Sequence, residues 1–235
     1  MSPNLSLKEA LSVISVPMNL LVSTAYLTPI PYFSLFMGDS PLYMDSQEFF
    51  QKQSFRNRGH ILSPQGILPL SVPIQKGSRR GIPIREVKIS DEFKWQRLHW
   101  MSLQSCYRRS SYFEFYEDEI VGFFEKTYTY LWDLNLDWIH FIGHSYGLDM
   151  GQKIKILDTY QKEWGEGWLD LREEIHPKKI KGIPGEIYPQ VFSNLGQFYE
   201  DISILDLLFN LGKQGIPYLK NLVFRTENIY NKGNY

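Results

Sequence analysis

Asp45–Ile74 reads DSQEFFQKQSFRNRGHILSPQGILPLSVPI, a dense run of charged and amide side chains leading into apolar, turn-punctuated sequence. Lys52, Ser54, Arg56, Arg58 and His60 fall on alternate positions, which share one face if the run is a strand. Three cations there would stand about 6–7 Å apart, a spacing that suits a phosphate or carboxylate ligand. Gln51, Gln53, Phe55 and Asn57 would take the other face, where amides can both donate and accept. Two readings follow: an anion site, or an edge strand blunted by charge against aggregation. Further on, Arg58–Leu62 and Ile67–Val72 can pair across Ser63-Pro64-Gln65-Gly66, a predicted hairpin that would fix the register of the basic run.

Upstream, Asn19–Leu27 (NLLVSTAYL) predicts a buried strand. Pro29 and Pro31 end it, and Tyr32–Met37 predicts a short helix or turn with proline at its start. That order places Thr24, Tyr26, Thr28 and Tyr32 at a strand's carboxyl end, where open α/β sheets bind ligands. Residues 5–15 carry a capping-box spacing, Ser6 to Glu9. Pro41–Asp45 predicts a second strand.

Downstream, Gln75–Gly81 (QKGSRRG) is a basic loop, either solvated or a lid whose Arg79 and Arg80 close on an anion. Ile82–Ile89 alternates as a strand would. From Trp95 the apolar period becomes helical, and two or three helices are expected before Gly147. Glu114, Glu117, Asp118, Glu119 and Glu125 form an acidic band suited to a solvated helix face. KIKIL predicts a strand, and Trp168–Ile175 a short helix. A Pro/Gly-punctuated loop holding Tyr188, Gln190 and Phe192 then covers a site or wraps the surface. Ser203–Leu211 is a helix capped by Ser203 and ended by Gly212, with Asp206 at a capping offset. The tail from Arg225 is polar and reads as frayed. The fold class is therefore α/β or α+β: an N-terminal mixed sheet with a hairpin, central helices and a C-terminal helix packing back on the sheet. One domain over 1–235 is expected, sheet-rich over 19–90, helical over 95–147, then loop-rich with a helix over 151–224.

Composition sets limits on function. The chain has 235 residues, 43% hydrophobic, enough to bury a core. A net charge of −1 gives no broad reach toward nucleic acid, so a small partner is expected. A single cysteine, Cys106, excludes an internal disulfide and a cysteine-based zinc site. Arg108 and Arg109 beside it could activate the thiol, against the commoner reading of an inert buried cysteine. The N-terminal segment lacks a basic n-region and a cleavage site, and prolines interrupt its apolar run, so a cytoplasmic protein without membrane insertion is expected. Gly143–Gly147 (GHSYG) matches a hydrolase nucleophile pattern, but that pattern needs a strand before Ser145, and the segment there reads as helix. There is no P-loop and no dinucleotide fingerprint.

Five pieces together resemble the WbqC-like family of bacterial proteins: Ser23–Phe36 (STAYLTPIPYFSLF), Gln51–Leu62 with Leu70–Ile74, Trp95–Asp118, Leu169–Arg172 (LDLR) and Ile187–Gly212. The family takes its name from surface-polysaccharide gene clusters. The resemblance implies a link to nucleotide-activated amino sugars, including amide formation on a sugar amine by glycyl or other acyl transfer. Where longer members carry a His-Gln-Pro-like segment, this chain reads Ala25-Tyr26-Leu27. On the enzyme reading, an acyl or aminoacyl transferase, Lys52, Arg56 and Arg58 hold a nucleotide-sugar diphosphate or an activated carboxylate. Tyr26, Tyr32 and Gln53 position the sugar with Asn57, Tyr188 and Gln190, and His99 with Asp206 supplies proton transfer. ATP enters only if the carboxylate arrives unactivated, and no metal is expected. The other reading is a sugar- or nucleotide-binding module or scaffold with no proton carrier. Homo-oligomers fit either reading.

Overall fold

The computed structural model describes residues 19–75, 81–174, 176–178, 186–192 and 196–222. In chain order the elements are β1 (Asn19–Val22), α1 (Ile30–Ser34), β2 (Leu42–Asp45), β3 (Arg58–Ser63), β4 (Gly66–Ser71), α2 (Trp95–Tyr107), α3 (Phe113–Glu125), α4 (Leu131–Ser145), α5 (Met150–Lys153), β5 (Ile154–Leu157), β6 (Trp168–Asp170) and α6 (Ile204–Leu211). β1, β2, β5 and β6 make one parallel sheet in the order β5-β2-β1-β6, and β3 pairs with β4 as a separate antiparallel hairpin. The molecule is mixed α/β. No helix among the described residues is long and apolar enough to cross a membrane.

Parallel strands covered on both faces read as continuous apolar runs, and Leu20, Leu21 and Val22 are fully buried. β1 is shorter than its apolar sequence predicts. After Val22 the chain dives into the core: Ala25, Tyr26 and Leu27 are buried, and Leu27 takes a left-handed φ of 45°. Burial rather than strand pairing therefore accounts for the apolar character of that stretch. Gly59 is required where β3 passes Leu27, because a Cβ there would lie 2.6 Å from the Leu27 Cβ. The hairpin pairs in the predicted register, Leu62 opposite Ile67.

Two predicted elements differ. Ile82–Ile89 is not a strand. It carries a 3-10 turn over Ile84–Glu86 and single bridges at Pro83, Lys88 and Ile89, with Ile84, Val87 and Ile89 buried. Of the helix expected over Trp168–Ile175, the described residues Trp168–Glu174 are not helical; the first three add β6 to the edge of β1, and Leu169 and Leu171 point inward at a period of two. The three central helices stand as expected. α6 packs against α1, α3 and the hairpin strand β3. Ser203 Oγ accepts from the Leu205 N–H, and Gly212, at φ 53°, ends the helix. The expected helix over residues 5–15, Lys76–Arg80 of the basic loop and the tail lie outside the described residues.

Candidate functional site

All four strands of the parallel sheet run the same way, so Val22, Asp45, Leu157 and Asp170 share one carboxyl edge. The chain steps from β1 to β2 to β5 on one side and returns with β6 on the other. That reversal opens a crevice of the kind in which open α/β sheets hold ligands. Two arginines organise it. Arg172, just past β6, donates from NH1 to Asp45 Oδ2 at 2.6 Å, from NH2 to Asp170 Oδ2 at 2.6 Å, and from Nε to both Asp170 oxygens. Arg56 donates to both oxygens of Glu48, at 3.0 and 2.6 Å, and to the Arg172 carbonyl at 3.2 Å. Glu48 and Arg56 are buried to within a few per cent. Burying full charges is tolerable only with this density of partners. Burial pushes the Glu48 carboxyl up, with Arg56 opposing it.

Against this network lies a cavity of about 250 Å3, bounded by Glu48, Gln51, Asp170, Arg172 and Glu173, with Lys162, Phe49 and Tyr160 around them. Phe49 and Tyr160 pack at 4.9 Å between ring centroids and are both nearly half exposed, an aromatic wall facing solvent. The Arg172 guanidinium sits 5.5 Å from the Tyr160 ring centre. Counting the second row, four carboxylates (Asp45, Glu48, Asp170, Glu173) meet three cations (Arg56, Lys162, Arg172). Glu48 is matched to Arg56, and Asp45 with Asp170 to Arg172; Glu173, touched by the Gln51 amide, and Lys162 complete the rim, so the cluster as a whole carries one more acid than cations.

This geometry corrects the alternating-face expectation. Residues 51–57 are turns, and the strand begins only at Arg58. Arg56 turns inward onto Glu48. Lys52 and Gln53 are exposed, Gln53 at a left-handed φ of 60°. Arg58 Nε donates to Ser71 Oγ across the hairpin. Asn57 ties the turn to β4 by donating to the Val72 carbonyl. The turn arises because Ser54 Oγ caps back on the Gln51 carbonyl and Phe55 is drawn into the core.

The remaining predicted residues form core contacts, and none borders this cavity. Tyr26 and Tyr32 are fully buried. The Tyr32 hydroxyl donates to the Ser23 carbonyl at 2.5 Å, and the Tyr26 hydroxyl meets His99 Nδ1 at 2.9 Å. Burial drives His99 down to about 4, so the imidazole is neutral at pH 7. Asp206 does not close a capping box. Its carboxyl faces inward, where Oδ2 accepts from the Tyr188 hydroxyl at 2.5 Å and from Gln190 at 3.2 Å, and burial raises it to about 6. Gln190 also donates to the Tyr199 carbonyl, so the loop holding Tyr188 and Gln190 is fastened to α6.

Ser145 lies in the last turn of α4, and its hydroxyl donates to the Phe141 carbonyl at 2.9 Å. With a helix rather than a strand before it, no nucleophile elbow forms. Cys106 is buried, and burial raises its thiol. The sequence reading missed Glu48, Asp170, Arg172 and Glu173 as site residues. The signal available was acid–x–arginine in LDLR, directly after an apolar pair.

Residues 24–180 match the model of the WbqC-like protein family. The chain is 27% identical over 229 residues to the uncharacterized protein Rv1507c of Mycobacterium tuberculosis, covering 85% of this chain and 96% of that protein. No solved structure matches.

Proposed function

Since the chain belongs to the WbqC-like protein family, we propose that it modifies a nucleotide-activated amino sugar by amide formation, glycyl or other acyl transfer, in bacterial surface-polysaccharide biosynthesis. The observation that carries this reading is the acid-rich cavity at the carboxyl edge, with Glu173 on its rim beside a fixed guanidinium and an aromatic wall. An amine is the group such a cavity accepts, and a sugar ring lies well against exposed aromatic faces. The cavity's acid excess shifts the expected contact from the diphosphate to the amino sugar. In the transfer, the amine lone pair attacks the acyl carbonyl carbon, the C–N bond forms, and the donor's leaving group departs with its electron pair. The Glu173 carboxylate takes the amine proton. ATP is required only where the acyl donor arrives as a free carboxylate.

Simple binding without chemistry is the second reading. It is favoured by the enclosure of His99 and Asp206 away from the cavity, which leaves no histidine among the residues that border it. A thermal-shift screen with nucleotide sugars, with and without a free amino group, tests both. A shift for the amino sugar that Glu173→Gln reduces supports the site. Amide product formed with an activated acyl donor separates transferase from binder. No shift with any nucleotide sugar would remove the footing of both readings.

A further inference from the structure

We propose that the outer face of the α2–α3 helical hairpin is a two-fold interface between two copies of this chain. α2 and α3 pack together through Trp100, which stacks near Phe113 and Phe124, and through a Gln104–Glu117 hydrogen bond. Each helix then has an outward stripe at helical spacing. That of α2 runs Lys94, Arg97, Leu98, Met101, Arg108, and it is basic and apolar. That of α3 runs Glu114, Phe115, Asp118, Glu119, Glu125, and it is acidic and apolar. Leu98, Met101 and Phe115 are 60%, 52% and 73% exposed. Clustered large apolar side chains rimmed by charge mark an interaction surface.

The occupant follows from the charge pattern. One surface carries both halves of a complementary pair side by side, basic on one helix and acidic on its neighbour. A two-fold rotation lays each copy's α2 stripe on its partner's α3 stripe, so every contact is made twice. An unrelated partner would have to match both signs. A shallow groove of about 290 Å3 adjoins the acidic stripe, shares Glu119 with it and is bounded by Gly122, Phe123, Lys126 and Asp137. Apart from its chain neighbours and its own helix backbone, no atom lies within 4 Å of where a Cβ on Gly122 would stand, so that part of the groove is open to a side chain from a second copy.

Sedimentation velocity from low to high micromolar concentration tests the interface on the full chain. The native chain is expected to dimerise, less tightly as salt is raised. Arg97→Glu and Asp118→Arg should each weaken self-association by about tenfold or more while leaving the melting temperature within about 2 °C. Mixed in equal amounts, the two variants should recover the dimer, since the reversed charges then face each other at one contact and the native pair at the other. A native chain that stays monomeric overturns the proposal, as does a dimer untouched by both substitutions. Variants that dissociate alone and fail to reassociate on mixing also overturn it.

Discussion

Among the described residues, the buried polar groups at the sheet edge and those around His99 and Asp206 behave differently. At the carboxyl edge of the sheet, Arg56 with Glu48 and Arg172 with Asp45 and Asp170 bury charges in matched pairs beside a cavity. Around His99 and Asp206, burial instead moves the titrating groups toward their neutral forms, because their partners are hydroxyls, an amide and backbone. The residue types in both clusters look equally catalytic in a sequence. What separates them is position. One cluster lies where parallel strands end and leave a crevice; the other lies beneath helices and the hairpin, where polar groups serve to fix the packing.

The largest break in that contrast should come from Arg56→Ala. It strands Glu48 in a buried position and should lower unfolding free energy by about 3–5 kcal/mol. Urea denaturation of the single variant against Glu48→Leu/Arg56→Met checks this. The double variant keeps the volume without the unpaired charge and should recover most of the loss. If it is as unstable as the single variant, packing and not the ion pair holds the edge.

The core cluster should show itself through pH. Asp206 titrates at 3.8 in its ordinary state and at about 6 in the fold, so the folded chain holds the proton more tightly. Its contribution is full below pH 4 and is lost as pH rises through 6. His99 falls from 6.5 to about 4, so its contribution is full above pH 6.5 and is lost as pH falls toward 4. Each effect is about 3 kcal/mol. They oppose each other between pH 4 and 6. Relative to the native chain, Asp206→Asn should make stability rise more steeply with pH across that window, and His99→Gln should make it fall. Urea midpoints at several pH values measure both slopes. Tyr188→Phe, which removes one hydrogen bond to the same carboxyl, should cost a smaller 1–3 kcal/mol, roughly, in the same assay.

The hairpin, the helix capped by Ser203 and the run of central helices were legible because turn chemistry and periodicity are local. Ser63-Pro64-Gln65-Gly66 and Ser203 to Gly212 carry their own signals. Alternation misled at Lys52–Arg58, where Phe55 is pulled into the core and Ser54 closes a turn, so the period of two never becomes a strand. The site was illegible for a different reason. Asp45, Glu48, Asp170 and Arg172 are brought together by parallel pairing of β1 with β2 and β6, and no local pattern encodes which strand ends become neighbours.

The smallest expected effect is at Arg58, and it separates the cation that sequence placed in a site from the one that the fold places there. Arg58 is partly exposed and, among the described residues, its side chain donates to the Ser71 hydroxyl across the hairpin, so Arg58→Ala should change stability by no more than about 0.5 kcal/mol. It should also leave any thermal shift by an amino-sugar nucleotide unchanged, because Arg58 does not border the cavity. Arg172→Ala removes the guanidinium that orients Asp170 beneath the aromatic wall and should abolish that shift. A ligand response lost in Arg58→Ala and kept in Arg172→Ala would move the binding site from the sheet edge to the hairpin, and with it the reason for assigning Glu173 a role.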